Sequence, residues 1–254
     1  MRITKLNDYQ SWLFEVGNTR IALDPWLTDV LRFPAGAWMF ERRRHEPSAY
    51  TPDSLPPLDA LIISAHFGDH LHNETLEALD KSTPVYTTKQ AAPRLERLGF
   101  RAVNILGHGM SIELGEDARL YGVSPGFPYT SNALGFVLEE CASEARLYFE
   151  AHTTDEAVLD ALPQPITVMM TPVESVKLLG ITFSMDAARA LRSAKKLVPK
   201  FFLPTGVEPS RATGLFGNIL IRCRGSIEDF DALLAESDLD TKLVNPCSGE
   251  GLTL

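Results

Sequence analysis

Residues 61–76 read LIISAHFGDHLHNETL, and the rest of the chain is read outward from them. A short apolar run, Leu61-Ile62-Ile63, stops at Ser64-Ala65-His66. His66, Asp69, His70 and His72 then fall within seven positions, half of the chain's six histidines among them. Asn73 is suited to cap a helix from Glu74 to Asp80. The pattern predicts a buried strand, a loop dense in coordinating side chains, and a helix. Zinc and its neighbours accept mixed oxygen and nitrogen donors, so the loop suits metal binding or proton transfer. Histidines also collect in polar turns, where His66 or His72 alone would be a surface or hydrogen-bonded residue. The adjacent carboxylate and imidazole of Asp69 and His70 favour a working site.

The chain has 254 residues, enough for one large core, and is read as a single domain over 1–254. No apolar run approaches the ~20 residues that cross a bilayer, so no membrane partner is expected. The start, MRITKLNDYQ, lacks the apolar core of a signal peptide, which predicts a cytoplasmic protein. Cys141, Cys223 and Cys247 are widely spaced and form no CxxC pair, against both a disulfide framework and a thiolate zinc site. A net charge of -9 argues against a nucleic-acid surface. The basic run Arg42-Arg43-Arg44 is either a clamp for an anionic substrate group or a solvated face, and its acidic flanks Glu41 and Glu46 favour the solvated face.

The first quarter reads as β-structure: Arg2–Lys5, then Ser11–Val16 and Thr19–Asp24 around a Gly17-Asn18 turn. From Pro25 to Pro57, both included, the chain has six prolines and the aromatics Trp26, Phe33, Trp38, Phe40 and Tyr50, without periodicity. Such a segment suits a substrate wall, a subunit contact in a homo-oligomer, or ordinary core filling. Leu61–Ile63, Val85–Thr87 and Val103–Ile105 then alternate with helices at Glu74–Asp80 and Lys89–Leu98. Four strands follow, Ser111–Leu114, Arg119–Val123, Gly135–Glu139 and Arg146–Phe149. Beyond them come helices at Asp155–Leu162, Met185–Leu197 and Ile227–Glu236, strands at Ile166–Met170 and Lys200–Leu203, and short strands at Lys242–Val244 and Gly251–Leu254. Strands first and strand–helix alternation later, in each half, predict two sheets face to face with helices outside.

Taken together, ALDPWL at Ala22–Leu27, the Asp69-His70 pair after a buried strand, Pro125-Gly126 and Pro204-Thr205-Gly206 resemble the metallo-β-lactamase-fold hydrolases, in the compact branch that includes ascorbate-6-phosphate lactonase-like enzymes. The resemblance implies an α/β (α+β), four-layer αββα sandwich of two mixed sheets flanked by helices, with a metal site between the sheets at one edge. Departures from the family's H-x-H-x-D-H loop are specific. Ala65 and Phe67 stand at its first two histidine positions, Phe127 and Thr205 at two later ones, and His152 where a bridging aspartate is expected.

What the resemblance leaves is a reduced site for one divalent ion, zinc first and manganese or iron next. Its expected ligands are Asp69, His70 and His152, with Glu150 as a fourth ligand or a partner that orients His152. Asp69, His70 and His72 are the expected catalytic residues, His72 as a further ligand or general acid, and Asp24 is expected to orient a site histidine. Three functions follow for a small-molecule substrate: a metal-dependent hydrolase of an ester, lactone or phosphodiester; a metal-independent acid–base enzyme with His70 as base; and a lapsed hydrolase that binds a ligand or partner. His45 and His108 are assigned no role.

Overall fold

A computed structural model describes residues 1–32, 36–178, 181–207 and 212–254. Phe33 lies outside them. Among the described residues, two seven-stranded mixed sheets face each other. The first runs in the order Gly251–Thr253, Arg2–Lys5, Trp12–Val16, Thr19–Leu23, Ala60–Ile63, Val85–Thr87, Val103–Ile105. The second runs Lys242–Leu243, Phe201–Pro204, Val168–Thr171, Arg146–Phe149, Gly135–Glu140, Ala118–Val123, Ser111–Leu114.

Side-chain alternation builds the layers. Trp12, Phe14 and Val16 turn inward with Ile3, Ile21, Leu23 and Ile62, and meet Leu120, Phe136, Leu138, Phe149, Val168 and Met170 of the opposite sheet. Successive side chains of Ala60–Ile63 serve different cores. Ala60 and Ile62 join the inter-sheet core, whereas Leu61 and Ile63 pack outward on Leu76, Leu95 and Phe100 under the helices Asn73–Ala78 and Ala92–Arg97. Burial on both faces is why this strand reads as a continuous apolar run. Truncating such a residue, as in Ile62→Ala, costs about 2–5 kcal/mol.

On the far side, Tyr148, Met169 and Phe202 face Leu159, Ala190, Ala194, Leu197 and Phe230 from the helices Glu156–Asp160, Ala187–Leu197 and Ile227–Ala235. The order helix, sheet, sheet, helix is the expected four-layer sandwich. Buried positions 187, 190, 194 and 197 of the longest helix follow a helical period, and Asp186 caps it by accepting the Arg189 N–H at 2.9 Å.

Two departures bear on the site. The helix after the histidine loop is capped by His72 rather than Asn73: the His72 ring accepts the Thr75 N–H. The stretch from Pro25 to Pro57 contains a hairpin, Val30–Arg32 against Glu41–Arg43. A three-stranded sheet of Ser175–Leu178, Ile181–Thr182 and Ile221–Arg224 is likewise additional to the expected layers. No described helix is long and apolar enough to cross a membrane.

Candidate active site

The site grows from strand ends. Thr19–Leu23 and Ala60–Ile63 run parallel and finish side by side, so Asp24 follows one and Ser64 the other. Asp24 is fully buried, with φ at +43°, a left-handed conformation that Asp adopts more readily than most residues. Its carboxylate accepts the Ser64 N–H at 2.7 Å and the Ser64 hydroxyl at 2.5 Å. The same Oδ2 lies 2.7 Å from His70 Nδ1. Asp24 thus orients His70, the role expected for it, and leaves Nε2 as the imidazole's other nitrogen. Strain at such a residue is sustained by the bonds that fix it.

In the second sheet, Arg146–Phe149 ends at Glu150-Ala151-His152. Glu150 is fully buried. Its Oε1 accepts the His152 N–H at 3.0 Å and lies 3.6 Å from His152 Nδ1. Gly135, opposite Glu150, makes room for that carboxylate: a Cβ there would lie 2.7 Å from Glu150 Oε2. The two histidines meet across the sheets, ring centroids 5.0 Å apart and planes 26° apart. Tyr129 also stacks on His152, with centroids 3.9 Å apart.

Asp69, His70 and His152 therefore do share one cleft, a cavity of about 330 Å³. Most of its wall is apolar and aromatic, from Tyr9, Leu31, Phe40, Phe67, Tyr129, Val176 and Phe183, and Arg42 enters from the hairpin. The charges within it act on one another. Burial works against protonation of His70, but the carboxylates of Asp24 and Asp69 outweigh it and raise its pKa. Burial and neighbouring His70 hold the pKa of His152 down despite Glu150. Asp69, although buried, is kept below the usual carboxylate range by His70, Arg42 and His152.

A metal ion fits this donor set poorly. Among the described residues no three His, Cys, Asp or Glu side chains are arranged to hold one. Asp69 Oδ2 lies 3.8 Å from the Arg42 guanidinium and 3.3 Å from the Tyr9 hydroxyl, so a cation there would meet a positive charge. His152 is packed face to face with both His70 and Tyr129, which turns ring faces rather than lone pairs toward its neighbour. Phe67 packs beside His70, His152 and Tyr129 at centroid distances of 6.2, 5.9 and 6.0 Å. Thr205 accepts the Trp12 indole N–H at 3.0 Å, and the Phe127 side chain is 82% exposed. Of the four expected ligands, His70 pairs with Asp24, His152 pairs with Glu150, and Asp69 lies beside Arg42.

His72 stands apart from these residues. It lines a different cavity, with Leu27, Val30 and Arg94, and its Nδ1 is committed to the helix cap. Burial, with Arg44 and Arg94 adding to it, lowers its pKa to about 4, so it is neutral at pH 7. His66 packs on Phe67 at 4.3 Å, and His108 approaches the Ala133 carbonyl at 3.4 Å. Arg42, read from the sequence as part of a solvated face, is 5% exposed and belongs to the cavity. Period two within the strand Glu41–Arg43 sends residue 42 to the face opposite its neighbours, but a strand this short leaves no sign of itself in the sequence.

Residues 2–206 match a family described as Beta-lactamase superfamily domain. A 97-residue stretch is 34% identical to cytidine monophosphate-N-acetylneuraminic acid hydroxylase of Danio rerio, covering 36% of this chain and 16% of that protein. The fold is similar to that of isothiocyanate hydrolase from Delia radicum gut bacteria, with a TM-score of 0.76, 16% identity, and coverage of 100% of this chain and 99% of that one. It is equally similar to a protein of Veillonella parvula described as a possible metal-dependent hydrolase, with a TM-score of 0.75, 17% identity, and coverage of 100% and 99%.

Proposed function

From the premise that the chain belongs to the beta-lactamase superfamily, we propose that it hydrolyses a small, largely apolar ester or lactone by imidazole acid–base chemistry. The family's fold implies a divalent metal, but among the described residues no three donors converge on one. The observation that carries the reading is the pair of stacked imidazoles whose surroundings drive their proton affinities in opposite directions. Two titratable groups separated in this way divide into an acid and a base.

In this reading neutral His152 takes a proton from water as its oxygen attacks the acyl carbon. His70, whose hold on its proton Asp24 and Asp69 strengthen, gives that proton to the departing alkoxide. The cycle closes when His152 releases its proton to solvent and His70 takes one up from solvent. The Tyr129 phenol, kept protonated by burial and by Asp69 and Glu150, lines the same cavity and is assigned here as the donor to the oxyanion. The apolar walls exclude competing water and strengthen each of these interactions.

Turnover of a panel of nitrophenyl esters and aryl lactones tests the reading. His152→Gln and His70→Gln each lower kcat by about 10²–10⁴-fold, the usual worth of a positioned acid or base. Wild-type turnover in His152→Gln overturns it.

A further inference from the structure

We infer that Leu31 sets the length of the substrate's apolar arm, as the wall at which the substrate cavity ends and a second, larger cavity begins. The inference rests on the stacked-histidine cavity being the substrate site and adds a size class, a substrate with a short hydrocarbon arm.

The hairpin places the leucine there. Leu31 is paired with Arg42, so the two side chains leave the same face of the hairpin. Both line the cavity of about 330 Å³ that holds His70 and His152. Leu31 also lines a cavity of about 840 Å³, together with apolar Leu27 and Leu71 and polar Thr28, Asn73 and Glu74. Among the described residues, Leu31 alone lines both.

The histidine loop completes the partition. Phe67, Asp69 and His70 line the first cavity, whereas Gly68, Leu71 and His72 line the second. Gly68 brings no side chain to that boundary, and a Cβ built on it would meet Leu31 Cδ1 at 3.7 Å. The wall at this point is therefore one leucine side chain against bare backbone. Leu31 is 3% exposed and belongs to a packed cluster with Trp26 and Ala212, which holds it in place. It offers no polar group, so what ends on it is hydrocarbon. Each methylene that leaves water for such a cavity tightens binding about fourfold, and the gain stops where the chain meets the leucine.

Binding measured without turnover separates this inference from the hydrolase reading. Straight-chain primary alcohols from butanol to dodecanol are titrated into the full chain by calorimetry. For the wild type the dissociation constant falls about fourfold per carbon and then levels off within the series. Leu31→Ala vacates the space of about three carbons. Its levelling point moves out by more than that, because the chain then runs past Leu27 and Leu71 into the second cavity. A wild-type series that keeps tightening to dodecanol overturns the inference, and so does a shift in Leu31→Ala no larger than the vacated space. Should Leu31→Ala fail to fold, Leu31→Met takes its place: it keeps the volume and bends more freely. Any outward shift in that variant is entry into the second cavity, and no shift overturns the inference. Nitrophenyl esters of the same chain lengths complete the comparison. A levelling point governed by Leu31 without turnover of any ester defeats the hydrolase reading and leaves this one standing. Turnover that His152→Gln abolishes, with alcohol binding indifferent to Leu31, does the reverse.

Discussion

His70 and His152 stack with ring centroids 5.0 Å apart, although each is delivered by a different sheet and each is backed by its own buried carboxylate. Asp24 stands at the end of one sheet's strand and Glu150 at the end of the other's. The sandwich therefore brings two acid–imidazole pairs back to back at its edge, and most of the chemistry argued above follows from that meeting.

Removing the charge from Asp24 should weaken His70's hold on its proton. A histidine whose folded pKa is raised contributes stability below its unfolded pKa of ~6.5, and this is lost as pH rises through the folded value. Asp24→Asn, which tolerates the positive φ, should thus be destabilised most at low pH, by about 1–3 kcal/mol, and progressively less above neutrality. Urea midpoints from pH 5.5 to 9 measure this, and a deficit that grows with pH contradicts it.

Activity should follow a bell. Its acid limb reports protonation of His152, below ~6.5, and its basic limb reports deprotonation of His70, above ~6.5. In Asp24→Asn the basic limb moves to lower pH while the acid limb rises only slightly, as its cationic neighbour weakens. A pH–kcat series on the best ester reads both limbs.

His72 makes the folded chain sensitive to acid. With a folded pKa of about 4 against ~6.5 unfolded, its neutral form stabilises the fold above ~6.5, and that stability drains as pH falls toward 4, by up to about 3 kcal/mol. His72→Asn supplies a cap without a titrating ring, and so should match the wild type at pH 7 and lose less stability by pH 5. Parallel losses in both proteins would remove His72 from the account.

Gly135→Ala places a methyl group against Glu150 Oε2, which must move. A cost of about 1–3 kcal/mol is expected, together with a fall in kcat, because Glu150 positions His152. Combining it with Glu150→Ala, which clears the space, should recover stability but not activity. Thermal melts and turnover of the three variants settle the point.

How far these features were legible in the sequence depends on the physics behind each. Leu61-Ile62-Ile63 announced a strand buried on both faces, and Asp24, closing a strand before Pro25, was readable as an orienting acid. The Val30–Arg32 and Glu41–Arg43 pairing was not, because two three-residue strands across a turn leave no periodic signal. The inward Arg42 went unread for the same reason: without the strand, three consecutive arginines look solvated. The role of His72 turned on one residue of cap register, which sequence seldom resolves. Neither could spacing reveal that Arg42 compensates Asp69, since the two are brought together only by the fold.

The most direct test is metal content. The chain is purified without chelator after growth with zinc, manganese and iron, and metal per chain is measured for wild type, Asp69→Ala and His152→Ala alongside ester turnover before and after EDTA. The account predicts far less than one ion per wild-type chain and turnover that EDTA leaves unchanged. One tightly held ion per chain, lost in both variants and needed for turnover, would contradict it.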